Sequence, residues 1–349
     1  MKKVYREPKY KSHSARKAKR NLKKRQNKNR RRPHCKKRVH RFREPPSGLP
    51  EILAAPEFFD MIDNPDETIE FFNALFSAVR GRRRVFLNLS GVEHLAPNSL
   101  LYILSQFKKW ESRGLQHEVS GNEPRNEVCR TMLRQSGFYK YLTSHLHPEV
   151  DSPDILKIEE GREVDGELAG RVLNLCGMSV HSPDPESRKT YTSIVELMGN
   201  TREHANPESK EHLYWYLMAV VDRKDSKIRI SFLDNGAGIP KTLRKKPLEL
   251  VEELLARVFS IETLSESALI LSSLKGEVRS RTKEGHRGKG LPSIYNGYNL
   301  GILNELVIIS NKGYVNLADN DIRDLPRKFL GTLFCWTIPM RKGVDNDSD

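Results

Sequence analysis

Residues 228–240 read IRISFLDNGAGIP. Ile228 to Leu233 is an apolar stretch of strand length, and it runs without a break into Asp234-Asn235-Gly236-Ala237-Gly238-Ile239-Pro240. A carboxylate at the end of a buried strand can accept from an exocyclic amine, and two glycines let the backbone approach a flat ring. Just upstream, Leu213 to Val221 is a second apolar stretch, separated from the first by the polar turn Asp222-Arg223-Lys224-Asp225-Ser226-Lys227. The pair predicts a β-hairpin. Further upstream, Thr192 to Ala205 has helical spacing, with Ile194, Val195, Leu197 and Met198 available for a core. Glu196, Asn200 and His204 stand at i, i+4 and i+8, so they project along one face. A carboxylate one turn from a carboxamide can position a water and coordinate Mg²⁺, because hard cations take oxygen ligands. Downstream, the glycines of Gly285-His286-Arg287-Gly288-Lys289-Gly290-Leu291-Pro292 precede a proline in a first helical turn. That arrangement presents backbone N–H groups to phosphate at a helix N-terminus. Gly331 to Pro339 alternates as a last strand.

In this order, ELMGNTREHA (196–205), DNGAGIP (234–240), GHRGKGL (285–291) and GTLFCWTIP (331–339) resemble the N-box, G1 box, G2 box and closing strand of the GHKL, or Bergerat-fold, ATPases. The likeness spans about 150 residues and rests on four boxes in sequence. It implies an α/β sandwich with helices covering one face of a mixed sheet. It also implies roles: Asn200 for Mg²⁺, Asp234 for the adenine amine, Gly236 and Gly238 beside the base, and Thr332 in support of it. Arg287, Gly288, Lys289, Gly290 and Leu291 would hold the phosphates of ATP, and Glu196 would be the general base. Lys289 replaces the small or apolar residue usual in that loop, so its role rests on its charge. The expected ATP lid, about 240–288, is long and contains two helix-like stretches, Leu248 to Phe259 and Ser265 to Leu274.

The preceding region is also α/β in pattern. Phe58 to Val79 reads as helical, Arg84 to Leu89 as a buried strand, Ser99 to Trp110 as an amphipathic helix, 118–122 as a strand end and Asn126 to Ser136 as a helix. VFLNLSGVEHLAPNSLLYIL (85–104) followed by GNEPRNEVCRTMLRQSGFYKYL (121–142) resembles STAS domains over roughly 60 residues. That family carries a phosphorylated serine in a D-S-S-G turn. Here the turn is Ala96-Pro97-Asn98-Ser99, with Asn98 at the acceptor position, so no phosphorylation switch is expected there. The fold class expected is therefore α/β in three parts: a disordered basic arm (1–47), a small STAS-like α/β domain (48–150) and a GHKL-type ATP-binding domain (151–349).

Charge divides the 349-residue chain sharply. Residues 1–44 hold 21 Lys/Arg against Glu7 and Glu44, a net +19, while the rest holds 39 basic and 43 acidic residues, a net −4. The arm has too few apolar residues to offset chain entropy, so it is expected to be disordered, and its basic runs suit a nucleic acid or other polyanion. His34, Cys35 and His40 lack the fourth ligand of a closed zinc site. No apolar run exceeds the nine residues of Leu213 to Val221, and the charged N-terminus leads into no apolar segment. Four scattered cysteines form no C-x-x-C pair, which points to a reducing cytoplasm. Membrane, secreted and fibrous classes are excluded on these grounds.

Three functions fit. The first, and preferred, is a cytoplasmic regulator that binds Mg-ATP, with or without slow hydrolysis, and switches its lid and its contacts with a protein partner. The second is a serine/threonine kinase of the anti-sigma type. The third is a nucleic-acid-binding scaffold with a structural nucleotide. A sensor histidine kinase is not expected, since no helix with an H-box precedes residue 196. A gyrase or MutL analogue would need a transducer domain, and about ten residues follow Pro339.

Overall fold

The computed structural model describes residues 49–111, 119–141, 150–204, 213–244, 264–277 and 290–341, without the side chains of 202–204. The basic arm, Leu248 to Phe259 of the expected lid, and Arg287, Gly288 and Lys289 lie outside these residues. Among the described residues no helix is long and apolar enough to cross a membrane. Residues 48–349 form one compact unit of mixed α/β structure.

Its larger sheet has seven strands in the order β11-β10-β9-β12-β8-β7-β6. These are β6 (Ile155–Gly161), β7 (Trp215–Asp222), β8 (Lys227–Asp234), β9 (Asn304–Ser310), β10 (Gly313–Asn316), β11 (Asp321–Asp324) and β12 (Thr332–Pro339). The hairpin expected from 213–233 is present as β7 and β8, paired antiparallel from Trp215↔Asp234 to Asp222↔Lys227. Every ladder described in this sheet is antiparallel, which corrects the expectation of a mixed sheet. The reason is local. Short turns join β7 to β8, β9 to β10 and β10 to β11, and β12 enters between β8 and β9 running against both.

Along β8 the side chains alternate between two cores. Ile228, Ile230 and Phe232 join one cluster, with Ile194, Leu197 and Met198 of the long helix Pro185–His204 and Ile294 of Gly290–Asn299. Leu233 faces the other cluster, together with Leu333, Val307 and Ile309. One face of the sheet is thus covered by helices of the C-terminal half. The opposite face is covered by the first lobe, residues 49–141.

That lobe contains a parallel sheet in the order β1-β3-β5, from β1 (Glu51–Ala54), β3 (Val85–Asn88) and β5 (Val119–Gly121), and a two-stranded pair, β2 (Phe58–Phe59) with β4 (His94–Leu95). Its helices are α1 (Pro65–Arg80), α2 (Pro97–Glu111) and α3 (Glu127–Gln135). The helix expected from Phe58 begins instead at Pro65. Asp60 Oδ1 accepts from Ile62 N at 2.7 Å and closes a turn, and the residue before a proline is steered away from helical geometry. Pro65 then sits at the helix start with Asp66 and Glu67 in the first turn. Asn126 caps α3 as its side chain accepts from Val128 N and Cys129 N. Phe71, Phe72 and Phe76 of α1 pack with Tyr102 of α2 in the cluster that also holds Leu233 and Leu333. The apolar core is therefore continuous across residue 150.

Candidate functional site

The remaining helices are α4 (Gly166–Leu175), α5 (Pro185–His204), α6 (Ile239–Arg244), α7 (Glu266–Leu274) and α8 (Gly290–Asn299). Asp234, Thr332 and Ser310 end or begin three adjacent strands in register: Thr332 pairs with Asp234 on one side and with Ser310 on the other. Each is two residues from a member of the helix-side core, namely Phe232, Phe334 and Ile308. With a side-chain period of two, all three project from the face that α5 covers.

The three form a chain of polar contacts. Ile239 N donates to Ser310 Oγ at 2.9 Å, and Ser310 Oγ lies 3.2 Å from both the Gly331 carbonyl and Thr332 Oγ1. Gly236 N donates to Asp234 Oδ1 at 2.8 Å, and the hydroxyl of Thr332, the register partner of Asp234, also favours the ionised carboxyl. Desolvation pushes the Asp234 carboxyl from 3.8 up to about 6, against the pull of these two groups. No lysine, arginine or histidine among the described residues pairs with it. Asp234 is thus a poorly solvated carboxylate that titrates well above the usual carboxylate range.

Three glycines are fixed by close approach. A Cβ on Gly236 would lie 2.7 Å from Asp234 Oδ1. Gly238 has φ +89° and packs on the Asn311 side chain, where a Cβ would come within 2.5 Å of Nδ2. Gly331, at φ +112°, would place a Cβ 2.1 Å from the Asp234 carbonyl. Asn311, itself at φ 55°, holds the turn after β8: its Nδ2 donates to the Ala237 carbonyl at 3.1 Å and its Oδ1 accepts from Lys241 N at 3.3 Å.

A second group lies between α5 and α8. Gly290, first residue of α8, abuts both expected metal-side residues. A Cβ there would be 3.0 Å from Glu196 Oε2, 3.0 Å from Asn200 Nδ2 and 3.3 Å from Asn200 Oδ1. Asn200 Nδ2 is buried and has no hydrogen-bond partner among the described residues. Two turns earlier on α5, Lys189 Nζ donates to Ser293 Oγ of α8 at 2.9 Å. Desolvation lowers the lysine's pKa, and the charge of Glu196 opposes the shift. Leu291 is partly buried against the helix-side core.

Of the residues expected from sequence, the structure brings Asp234, Gly236, Gly238 and Thr332 into one group, and Glu196, Asn200 and Gly290 into another. The Asn98 position is buried. Its Oδ1 accepts from Met61 N at 3.1 Å and its Nδ2 donates to Asp60 Oδ1 at 2.9 Å, while the neighbouring Ser99 is fully enclosed. Sequence reasoning missed Ser310, Asn311 and Lys189. An apolar run, Leu306 to Ile309, ending in Ser310-Asn311-Lys312-Gly313 is a strand-and-turn signal that could have located the first two. Compared with models of known protein families and with curated proteins, the chain matches none.

Proposed function

We propose that the chain is an ATP-binding regulator with a GHKL-type site. The observation that carries this reading is the partly buried Asp234 carboxylate, which desolvation makes harder to ionise. It sits at a strand end with the Gly236 N–H as its donor and Thr332 beside it, on the sheet face over which α5 carries Glu196 and Asn200. A partly buried carboxylate with no cationic partner among the described residues gains from a neutral N–H donor, and an adenine amine is such a donor. Gly236 and Gly238 let the turn after β8 fold tightly onto the Asp234 carboxyl and the Asn311 side chain. Ser310 and Asn311 fix the strand end and turn that present the carboxyl.

The metal side fits the donor chemistry of Mg²⁺. Glu196 Oε2 and the Asn200 carboxamide both lie beside Gly290, and the carboxamide offers Oδ1 as an oxygen ligand. Bound Mg²⁺ would neutralise charge on the ATP phosphates. In hydrolysis Glu196 would take a proton from water as that oxygen bonds the γ-phosphorus and ADP leaves. Arg287, Gly288, Lys289, Gly290 and Leu291 are assigned to the phosphates on sequence grounds, and Gly290 is placed beside Glu196 and Asn200.

The STAS-like reading of the first lobe and the division near residue 150 belong to the same proposal. A kinase acting on its own Asn98 turn is disfavoured, since that turn offers an amide and a buried serine. A separate protein partner is assigned to the lid, and nucleic acid or another polyanion to residues 1–44, whose net +19 supports it. A cytoplasmic location is supported by Cys129, Cys176 and Cys335, each buried and unpaired.

The test is nucleotide titration of the full chain with and without Mg²⁺, followed by incubation with γ-labelled ATP. Free phosphate identifies an ATPase, label on protein a kinase, and binding without either a structural nucleotide. Absence of nucleotide binding would overturn the proposal.

A further inference from the structure

Beyond the shared core, the first lobe grips the segment that leads to Thr332 through Tyr102. Tyr102 of α2 is 1% exposed and wedged among aromatic rings. Phe72 meets it edge-on at 4.7 Å, and Phe329 stacks on its face at 4.3 Å and 18°. Its phenol oxygen accepts from Leu330 N at 2.9 Å. One residue of the first lobe therefore holds two successive residues of the segment entering β12 by a ring stack and a hydrogen bond. The next two residues are Gly331, which lies on the Asp234 backbone, and Thr332, which pairs in register with Asp234. Phe329 N also donates to the Asn311 carbonyl at 2.7 Å, tying the segment to the turn that packs on Gly238.

Residues 329–332 are thus a strap of four residues with Tyr102 at one end and Asp234 at the other. Adjacent Cα atoms are 3.8 Å apart, so a displacement at Leu330 reaches Thr332 with little chain to absorb it. The φ of Gly331 and its contact with the Asp234 carbonyl fix the strap further. Support from α1 is weaker: Asn73 Nδ2 to the Lys328 carbonyl at 3.4 Å, and Arg327 to Glu70 at 3.5 Å with both side chains largely exposed.

We infer that Tyr102 is a positioning residue for the nucleotide site, acting through the Phe329–Thr332 strap to hold Gly331 and Thr332 in register beside Asp234. The inference rests on the reading of Asp234 as the adenine-facing carboxylate. It assigns the first lobe a part in nucleotide affinity that its distance in sequence from the boxes conceals. Whatever engages α2 can act on the site by this route.

The test uses the full chain with Tyr102→Phe, which keeps the ring and removes the acceptor for Leu330 N, and Thr332→Ala, which removes the hydroxyl beside Asp234. The first readout needs no nucleotide: the pH dependence of urea unfolding, each variant beside the same variant carrying Asp234→Asn. No charged side chain among the described residues acts on Asp234; Thr332 and Gly236 are the partners that lower its pKa. Losing or displacing the Thr332 hydroxyl must then move its titration upward in pH. Both Tyr102→Phe and Thr332→Ala are expected to move the Asp234-dependent midpoint above about 6, and the double variant to move it no further than Thr332→Ala alone. The second readout is Mg-ADP affinity at pH 7, expected to weaken about two- to tenfold in Tyr102→Phe. A wild-type midpoint and wild-type ADP affinity in Tyr102→Phe would overturn the inference, as would effects on midpoint that simply add in the double variant. A shifted midpoint in a protein that binds no nucleotide would keep the strap and refute the nucleotide reading on which its function depends.

Discussion

Asp234→Asn is expected to make the protein more stable and less able to bind nucleotide at the same time. In the folded chain the carboxyl is pushed from 3.8 up to about 6 because it is poorly solvated, with Gly236 N–H and the Thr332 hydroxyl only partly offsetting that burial. A folded value above the unfolded one means that folding favours the protonated form. The stability this group contributes is complete below about pH 4 and is lost as pH rises through 6. The interval of about two units corresponds to about 3 kcal/mol. Wild type forgoes nearly all of it at pH 7, whereas asparagine carries no charge to desolvate and its carbonyl can still accept from Gly236. In urea unfolding, wild type and variant should match near pH 4. The gap should open between pH 4 and 6 and reach up to about 3 kcal/mol in favour of the variant at pH 7. In calorimetric titration at pH 7, the variant should bind ATP roughly ten- to hundredfold more weakly, the usual effect of losing a hydrogen bond to a charged group worth about 1.5–3 kcal/mol. A variant less stable than wild type at pH 7 would refute the desolvation argument. Undiminished ATP affinity would refute the assignment of Asp234 to the base.

Glu196→Gln should bind Mg-ATP with near wild-type affinity and lose about 10²–10⁴ in turnover, measured as phosphate release; equal turnover would remove Glu196 as the base. Gly290→Ala inserts a methyl 3.0 Å from Glu196 Oε2 and Asn200 Nδ2 at a helix start where alanine is tolerated. Its melting temperature should stay close to wild type while Mg-ATP affinity falls roughly tenfold, about 1.4 kcal/mol, and a wild-type titration would take those two side chains out of the site. Gly331→Ala meets both a φ of +112° and a contact of 2.1 Å with the Asp234 carbonyl, so it should destabilise by about 3 kcal/mol or more in chemical unfolding. Deleting residues 1–44 should abolish polyanion binding and leave ATP titration unchanged. With six to ten cations engaged, the full chain should lose roughly 10³–10⁵ in affinity between about 50 and 200 mM salt. Binding by the truncated chain would move that contact to the body.

Local chemistry made several elements legible in the sequence. The β7–β8 hairpin followed from two apolar runs around a polar turn, and α3 from Asn126, which caps the backbone three residues from its own position. Ser265 likewise caps α7, accepting from Ala268 N, at the place where the second lid helix was expected. The placement of Glu196 with Asn200 followed from helical geometry alone. What stayed hidden was set by partners far along the chain. Phe58 and Phe59 read as the start of a helix because they are apolar and precede one. Their strand conformation depends on pairing with His94 and Leu95, which no local pattern announces.

The same distinction separates the two halves of the Asp234 group. Asp234, Gly236 and Gly238 are contiguous, so their chemistry could be read from one heptapeptide. Ser310 and Asn311 come 70 residues later and enter the group only because β12 lies between β8 and β9, bringing Ser310 beside Thr332. Tyr102 is more distant still, 230 residues before Thr332, and its amphipathic helix reads as ordinary core packing. Apolar spacing cannot distinguish a tyrosine whose ring merely fills space from one whose hydroxyl takes a backbone N–H two residues before a polar strand end. The stacked ring and the Leu330 bond supply that distinction, because a phenylalanine would pack equally well and leave the N–H unpaired. A buried N–H without an acceptor is a cost that packing alone does not remove. The hydroxyl at position 102 is therefore the feature on which the link between the first lobe and the Asp234 strand end depends.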